Sequence, residues 1–126
     1  MGTTDRPWRR PGATSYARAR LRAALRPPIE VYWMPGTVTK GADVAVEMSD
    51  GVTLRLNLFR PADDTGPLPT LVSAHPYGKD AVPTFRRGRW RLNPQFRVMN
   101  QSAPLRISDQ TSWEAPDPAW WAQQGY

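Results

Sequence analysis

The side chains best equipped for chemistry stand together in His75-Pro76-Tyr77-Gly78-Lys79-Asp80. This string holds the single histidine of the chain, a phenol, an ammonium and a carboxylate. Imidazole exchanges protons near neutral pH, which makes His75 the first candidate for a general base. A base needs a nucleophile, and the serines are Ser15, Ser49, Ser73, Ser102, Ser108 and Ser112. None stands in a G-x-S-x-G elbow, the strained strand-to-helix turn that presents a serine nucleophile. Without such a partner motif His75 reads as a local hydrogen-bonding residue. Lys79 and Asp80 are placed to orient the loop through an ion pair, although exposed pairs contribute little. Asp63 and Asp64 fall in a turn and read as solvated carboxylates.

The elements around this string set its position. Val44, Val46 and Met48 alternate with Ala45 and Glu47, the period of a half-buried strand. Ser49-Asp50-Gly51 signals a tight turn, because glycine reaches positive φ at no steric cost. Val52, Leu54, Leu56 and Leu58 then alternate with Thr53, Arg55 and Asn57, completing a hairpin that ends at Arg60-Pro61. Residues 62–69 are a turn-rich connection. Leu68 through Ala74 is apolar or small almost throughout, which predicts a strand covered on both faces, leading straight into His75. Residues 81–112 read as one long arginine-rich loop. Asp117 as N-cap, Pro118 in the first turn and Gly125 as the stop predict a helix from Pro118 to Gln124.

Upstream, residues 1–13 form a polar, proline-interrupted tail. Thr14 to Arg26 predicts a short basic helix with Ala17, Leu21, Ala24 and Leu25 on one face, ended by Pro27-Pro28. Ile29 to Thr39 is an extended segment entering a turn at Pro35-Gly36. The chain therefore divides into a basic extension, 1–29, partly helical or disordered, and a folded portion, 30–126.

Composition narrows the possibilities further. The 126 residues suffice for one domain, but 14 prolines make much of it irregular. No cysteine is present, so disulfides and thiolate metal sites are excluded, and one histidine cannot build a His-rich zinc site. Neither metal nor cofactor is expected. The net charge of +6 is uneven. Residues 1–30 set seven arginines against Asp5 and Glu30, residues 31–80 are mildly acidic, and residues 81–126 are basic again. No run of about 18 apolar residues is present to span a membrane. Arg9-Arg10 lacks a following apolar region, so no export signal is read, and a cytoplasmic location is expected.

Three segments, in this order, resemble the Xaa-Pro dipeptidyl-peptidase-like acyl hydrolases, the serine-hydrolase family that includes cocaine esterase. Met48-Ser49-Asp50-Gly51-Val52-Thr53-Leu54 through Phe59-Arg60-Pro61 is similar to the family's opening hairpin. Pro69-Thr70-Leu71-Val72 leading to Pro76-Tyr77-Gly78-Lys79-Asp80 resembles its next strand and tyrosine-bearing loop. Trp113-Glu114-Ala115-Pro116-Asp117-Pro118-Ala119-Trp120-Trp121, closing on Gly125-Tyr126, is similar to the segment before a further strand.

The resemblance implies an α/β fold: the N-terminal portion of an α/β-hydrolase, with an antiparallel hairpin, one buried strand, a long loop and a short helix. It implies a small acyl-ester or X-Pro-amide substrate for the full-length form. It also places an oxyanion-hole donor on Tyr77, whose hydroxyl would act beside a backbone N–H next to the nucleophile. The triad's nucleophile, acid and base have no matching positions in this chain, which reads as a fragment inactive alone. The other reading of Tyr77 is simple packing under the loop.

Two further functions stay open. Residues 85–97 begin Phe85-Arg86-Arg87-Gly88-Arg89-Trp90-Arg91, and no acid lies between Asp80 and Asp109, a pattern able to neutralise phosphates and stack bases. A solvated lid with Trp90 tucked into it is preferred to a nucleic-acid-binding module. The second is a partner-binding scaffold whose unpaired sheet edge self-associates or recruits another strand.

Overall fold

A computed structural model describes residues 12–25, 27–64, 66–98 and 104–126. Helix α1 (Ala13–Leu25) is followed by strand β1 (Ile29–Tyr32), and β2 (Val38–Glu47) pairs antiparallel with β3 (Thr53–Pro61). A small ribbon, β4 (Thr84–Arg86) with β5 (Arg89–Arg91), precedes the four-residue helix α2 (Gln95–Val98). Strand β6 (Leu105–Ser108) returns to pair parallel with β1, and α3 (Pro118–Gln123) closes the described elements.

The hairpin forms where alternation predicts it, with Val44 opposite Leu56 and Val46 opposite Leu54. Its turn is closed by the Gly51 N–H on the Met48 carbonyl and by the Asp50 side chain accepting from the Val52 N–H. Gly51 sits at φ 83, as the turn requires. The first strand begins earlier than its apolar alternation suggests, at Val38, because the ladder continues past a register shift between Gly41 and Val44. Asp43 stands in that shift at φ 55, a conformation aspartate tolerates better than most residues.

Helix α3 matches its sequence signals closely. Asp117 accepts from the Ala119 and Trp120 N–H groups, Pro118 occupies the first turn, and Gly125 at φ 89 ends the helix. The same carboxylate also accepts from the Tyr32 hydroxyl and the Ser108 N–H, both at 2.8 Å. One side chain thus ties β1, β6 and α3 together. Burial, together with the hydrogen bond to Asp117, pushes the Tyr32 phenol well above its ordinary pKa. Val38, Phe96, Ile107, Ala119 and Ala122 are buried, as are the polar Ser108, Thr111 and Ser112.

Two expectations are overturned. The apolar run from Leu68 to Ala74 is extended but is not a strand, and Val72 is 82% exposed. A strand takes its hydrogen bonds from a neighbour, and no described segment lies alongside this one as a ladder partner. Residues 81–112 are not one irregular loop, since they hold β4, β5, α2 and β6. These elements are three or four residues long, too short to show a period. α1 forms as expected, but Leu21 and Leu25 stay exposed, and Arg26 lies outside the described residues. Among the described residues no helix is long and apolar enough to cross a membrane.

Candidate functional site

Tyr77 lies midway between two anchors. On its C-terminal side, the Lys79 ammonium meets Asp80 at 2.7 Å and Asp43 at 3.1 Å. Asn57, from the polar face of β3, donates to Asp80 at 3.0 Å and accepts from the Asp43 N–H at 3.2 Å. The bulge of β2 therefore supplies the carboxylate and β3 the amide that seat the loop on the hairpin. The hydrogen bonds that Lys79 donates to Asp80 and Asp43 raise its pKa above the ordinary value. Those from Lys79 and Asn57 lower Asp80 below the ordinary carboxylate range.

On the N-terminal side, His75 makes two contacts. Its Nδ1 accepts from the Tyr77 N–H at 3.3 Å, and its Nε2 lies 2.9 Å from Ser112 Oγ. The first contact decides the second. A neutral imidazole that accepts at Nδ1 carries its proton on Nε2, so Nε2–H donates to the Ser112 hydroxyl. A general base would need the opposite arrangement, with Nε2 bare and Ser112 donating. Ser112 is 4% exposed and lies in the turn before α3, not on a strand-to-helix elbow. In this tautomer the pair links the loop to the segment entering α3.

The Tyr77 ring stacks beside His75, at 6.1 Å between centroids, and the residue is half-buried. Its hydroxyl has no hydrogen-bond partner among the described residues, which leaves the O–H able to donate elsewhere. The segment that delivers Tyr77 is the unpaired stretch 68–74, not the end of a buried strand.

Other sequence candidates lie apart. Asp63 and Asp64 are exposed beside a shallow depression of about 460 Å³ near α3, and Tyr77 does not line it. A second hollow, of about 730 Å³, is lined by Tyr32, Arg106, Asp117 and Trp120. Its acid already accepts four hydrogen bonds, so it reads as a junction. Among the serines, Ser102 lies outside the described residues. No group of acidic, histidine or cysteine side chains among the described residues is arranged to hold a metal.

The arginine-rich segment folds as the β4–β5 ribbon. Phe85 and Trp90 face each other across it and pack on Trp33 at 5.7 and 4.5 Å, while Arg86, Arg87, Arg89 and Arg91 stay exposed. Trp90 is half-buried in this cluster, while Phe85 and Trp33 remain exposed.

Sequence reasoning singled out Tyr77, Lys79 and Asp80 but gave no role in this loop to Asn57, Asp43 or Ser112. Asn57 had one signal, an amide on the polar side of an alternating strand. The other two had none, because their partners are far away in the chain.

No curated protein and no solved structure matches the chain. The family model of the X-Pro dipeptidyl-peptidases (S15 family) matches residues 50–126, which include β3, the Tyr77 loop, Ser112 and α3. With more than half of its length inside that match, the chain belongs to the X-Pro dipeptidyl-peptidase family of hydrolases, and its C-terminal portion is α/β-hydrolase-like.

Proposed function

We propose that this chain supplies the oxyanion-binding side of a serine hydrolase acting on acyl esters or X-Pro amides, in the manner of the cocaine esterase branch, with Tyr77 as the donor. The observation that carries the reading is the uncommitted Tyr77 hydroxyl on a loop anchored at both His75 and Lys79. A phenol held in place before charge develops costs no reorganisation during the reaction. Such a donor contributes about 3–4 kcal/mol to a complete site.

Donation has value only where a nucleophile creates the oxyanion. The His75 tautomer denies Ser112 a base, so the chain alone does not turn over substrate. Assays of the purified chain with a p-nitrophenyl ester and an X-Pro p-nitroanilide are expected to give rates equal to buffer. Turnover that Tyr77→Phe abolishes would overturn the proposed inactivity. Where the triad is supplied by another polypeptide segment, Tyr77→Phe is expected to lower kcat about 100-fold.

A second reading is favoured by the exposure of the 68–74 segment and of Leu54 and Leu58 on the hairpin. There the chain is a scaffold that recruits a strand, from a partner or a second copy, onto an unpaired edge. Light scattering separates the two readings. A defined oligomer supports recruitment, and a cooperatively unfolding monomer contradicts it.

A further inference from the structure

We propose that His75 is a positioning residue, which sets how Tyr77 is presented by closing the turn on one side and locking it to buried Ser112 on the other. The inference rests on the reading of Tyr77 as the donor. It assigns work to two residues which that reading leaves without a role.

Pro76 has no N–H, so the first donor available after His75 is that of Tyr77. His75 Nδ1 accepts it, two residues on, as the side chain of asparagine or aspartate does in an Asx turn. An asparagine would stop there. Imidazole has a second nitrogen on its far side, and Nε2–H reaches Ser112 Oγ. Ser112 is itself fixed, because it is buried and its carbonyl accepts from the Ala115 N–H. The ring is therefore a rigid strut between the Tyr77 turn and the segment entering α3. Lys79 fastens the same loop to the hairpin, two residues beyond Tyr77. With both mounts in place the phenol is held by its own backbone, and its hydroxyl needs no partner to hold it.

The two halves of the strut are separable. His75→Asn keeps an acceptor for the Tyr77 N–H and loses Ser112. His75→Gln reaches towards Ser112 with an amide N–H and loses the short-range acceptor. Ser112→Ala removes only the outer half.

The test uses the whole chain labelled with ¹⁵N. Imidazole spectra are expected to show His75 with Nδ1 bare and Nε2 protonated. A proton on Nδ1, or the averaged mixture of a free imidazole, overturns the proposal without any variant. Hydrogen exchange of the Tyr77 amide then reads the turn. His75→Gln is expected to speed exchange about tenfold, and His75→Asn to restore it to near the parent rate. Equal exchange in both variants would mean that His75 acts through bulk alone, and would also overturn it. Neither readout involves catalysis, and Tyr77→Phe keeps the N–H. A normal tautomer beside an inert phenol would therefore defeat the donor reading and leave the strut standing, and the reverse result would do the opposite.

Discussion

Around Asp117 the chain turns its polar groups on one another, whereas along β2 and β3 it turns apolar groups towards water. The Asp117 carboxylate accepts from Tyr32, Ser108, Ala119 and Trp120, and Ala119 and Ala122 of α3 are buried. The hairpin has the stronger apolar pattern, yet Val46, Leu54 and Leu58 stay exposed. Pattern strength and burial have parted company. A strand's apolar face reports only what it is suited to meet, while a carboxylate with four donors reports what it has met. The Tyr77 loop spans the two regions, held to the hairpin by Lys79 and to the α3 approach by His75.

The largest effect should come from breaking the polar junction. Asp117→Ala removes a helix cap and leaves the Tyr32 hydroxyl and Ser108 N–H without their acceptor. A loss of about 3 kcal/mol is expected in urea unfolding. By contrast Leu54→Ser and Val72→Ser, at 50% and 82% exposure, should each change stability by no more than about 0.5 kcal/mol. Losses of equal size in the two regions would erase the distinction between them.

Smaller effects come from pH, and the two regions fail at opposite ends of the scale. Asp80 has a lowered pKa in the folded chain, so its contribution is complete above the ordinary carboxylate value of 3.8. It is lost as pH falls through the lower, folded value. Carboxyl ¹³C titration should show Asp80 protonating below the ordinary carboxylate value of 3.8, and Lys79→Met should remove most of that lowering. Tyr32 has a raised pKa, so its contribution is complete below the ordinary phenol value of 10.0 and is lost only as pH rises through the folded value. Spectrophotometric titration should find Tyr32 ionising above the ordinary phenol value of 10.0, and Asp117→Asn should bring it back towards that value. Asp80 or Tyr32 titrating at its ordinary value would sever the corresponding anchor.

The legible parts of the fold were those whose signals are local. The β2–β3 hairpin followed from period two and an Asp-Gly turn, and α3 from Asp117-Pro118 and Gly125. The parallel pairing of β1 with β6 was not legible, because Ile29 meets Leu105 across most of the chain and neither strand exceeds four residues. The 68–74 run was misread because an apolar composition marks a strand only when edges exist to receive it. In the site, Tyr77 came through family resemblance and Lys79-Asp80 through adjacency. The roles of Asn57, Asp43 and Ser112 came from the structure: Asn57 offered only its place on the polar side of a strand, and a bulge aspartate or a loop serine announces no distant partner.

In the proposed reading the Tyr77 loop supplies a hydrogen-bond donor, and Ser112 stays unactivated beside His75. Treatment of the purified chain with a fluorophosphonate, followed by intact-mass measurement, would reveal any activated serine. The mass should be unchanged, because His75 donates to Ser112 and leaves it unactivated. A stoichiometric adduct mapped to Ser112 would show an activated nucleophile and overturn this reading.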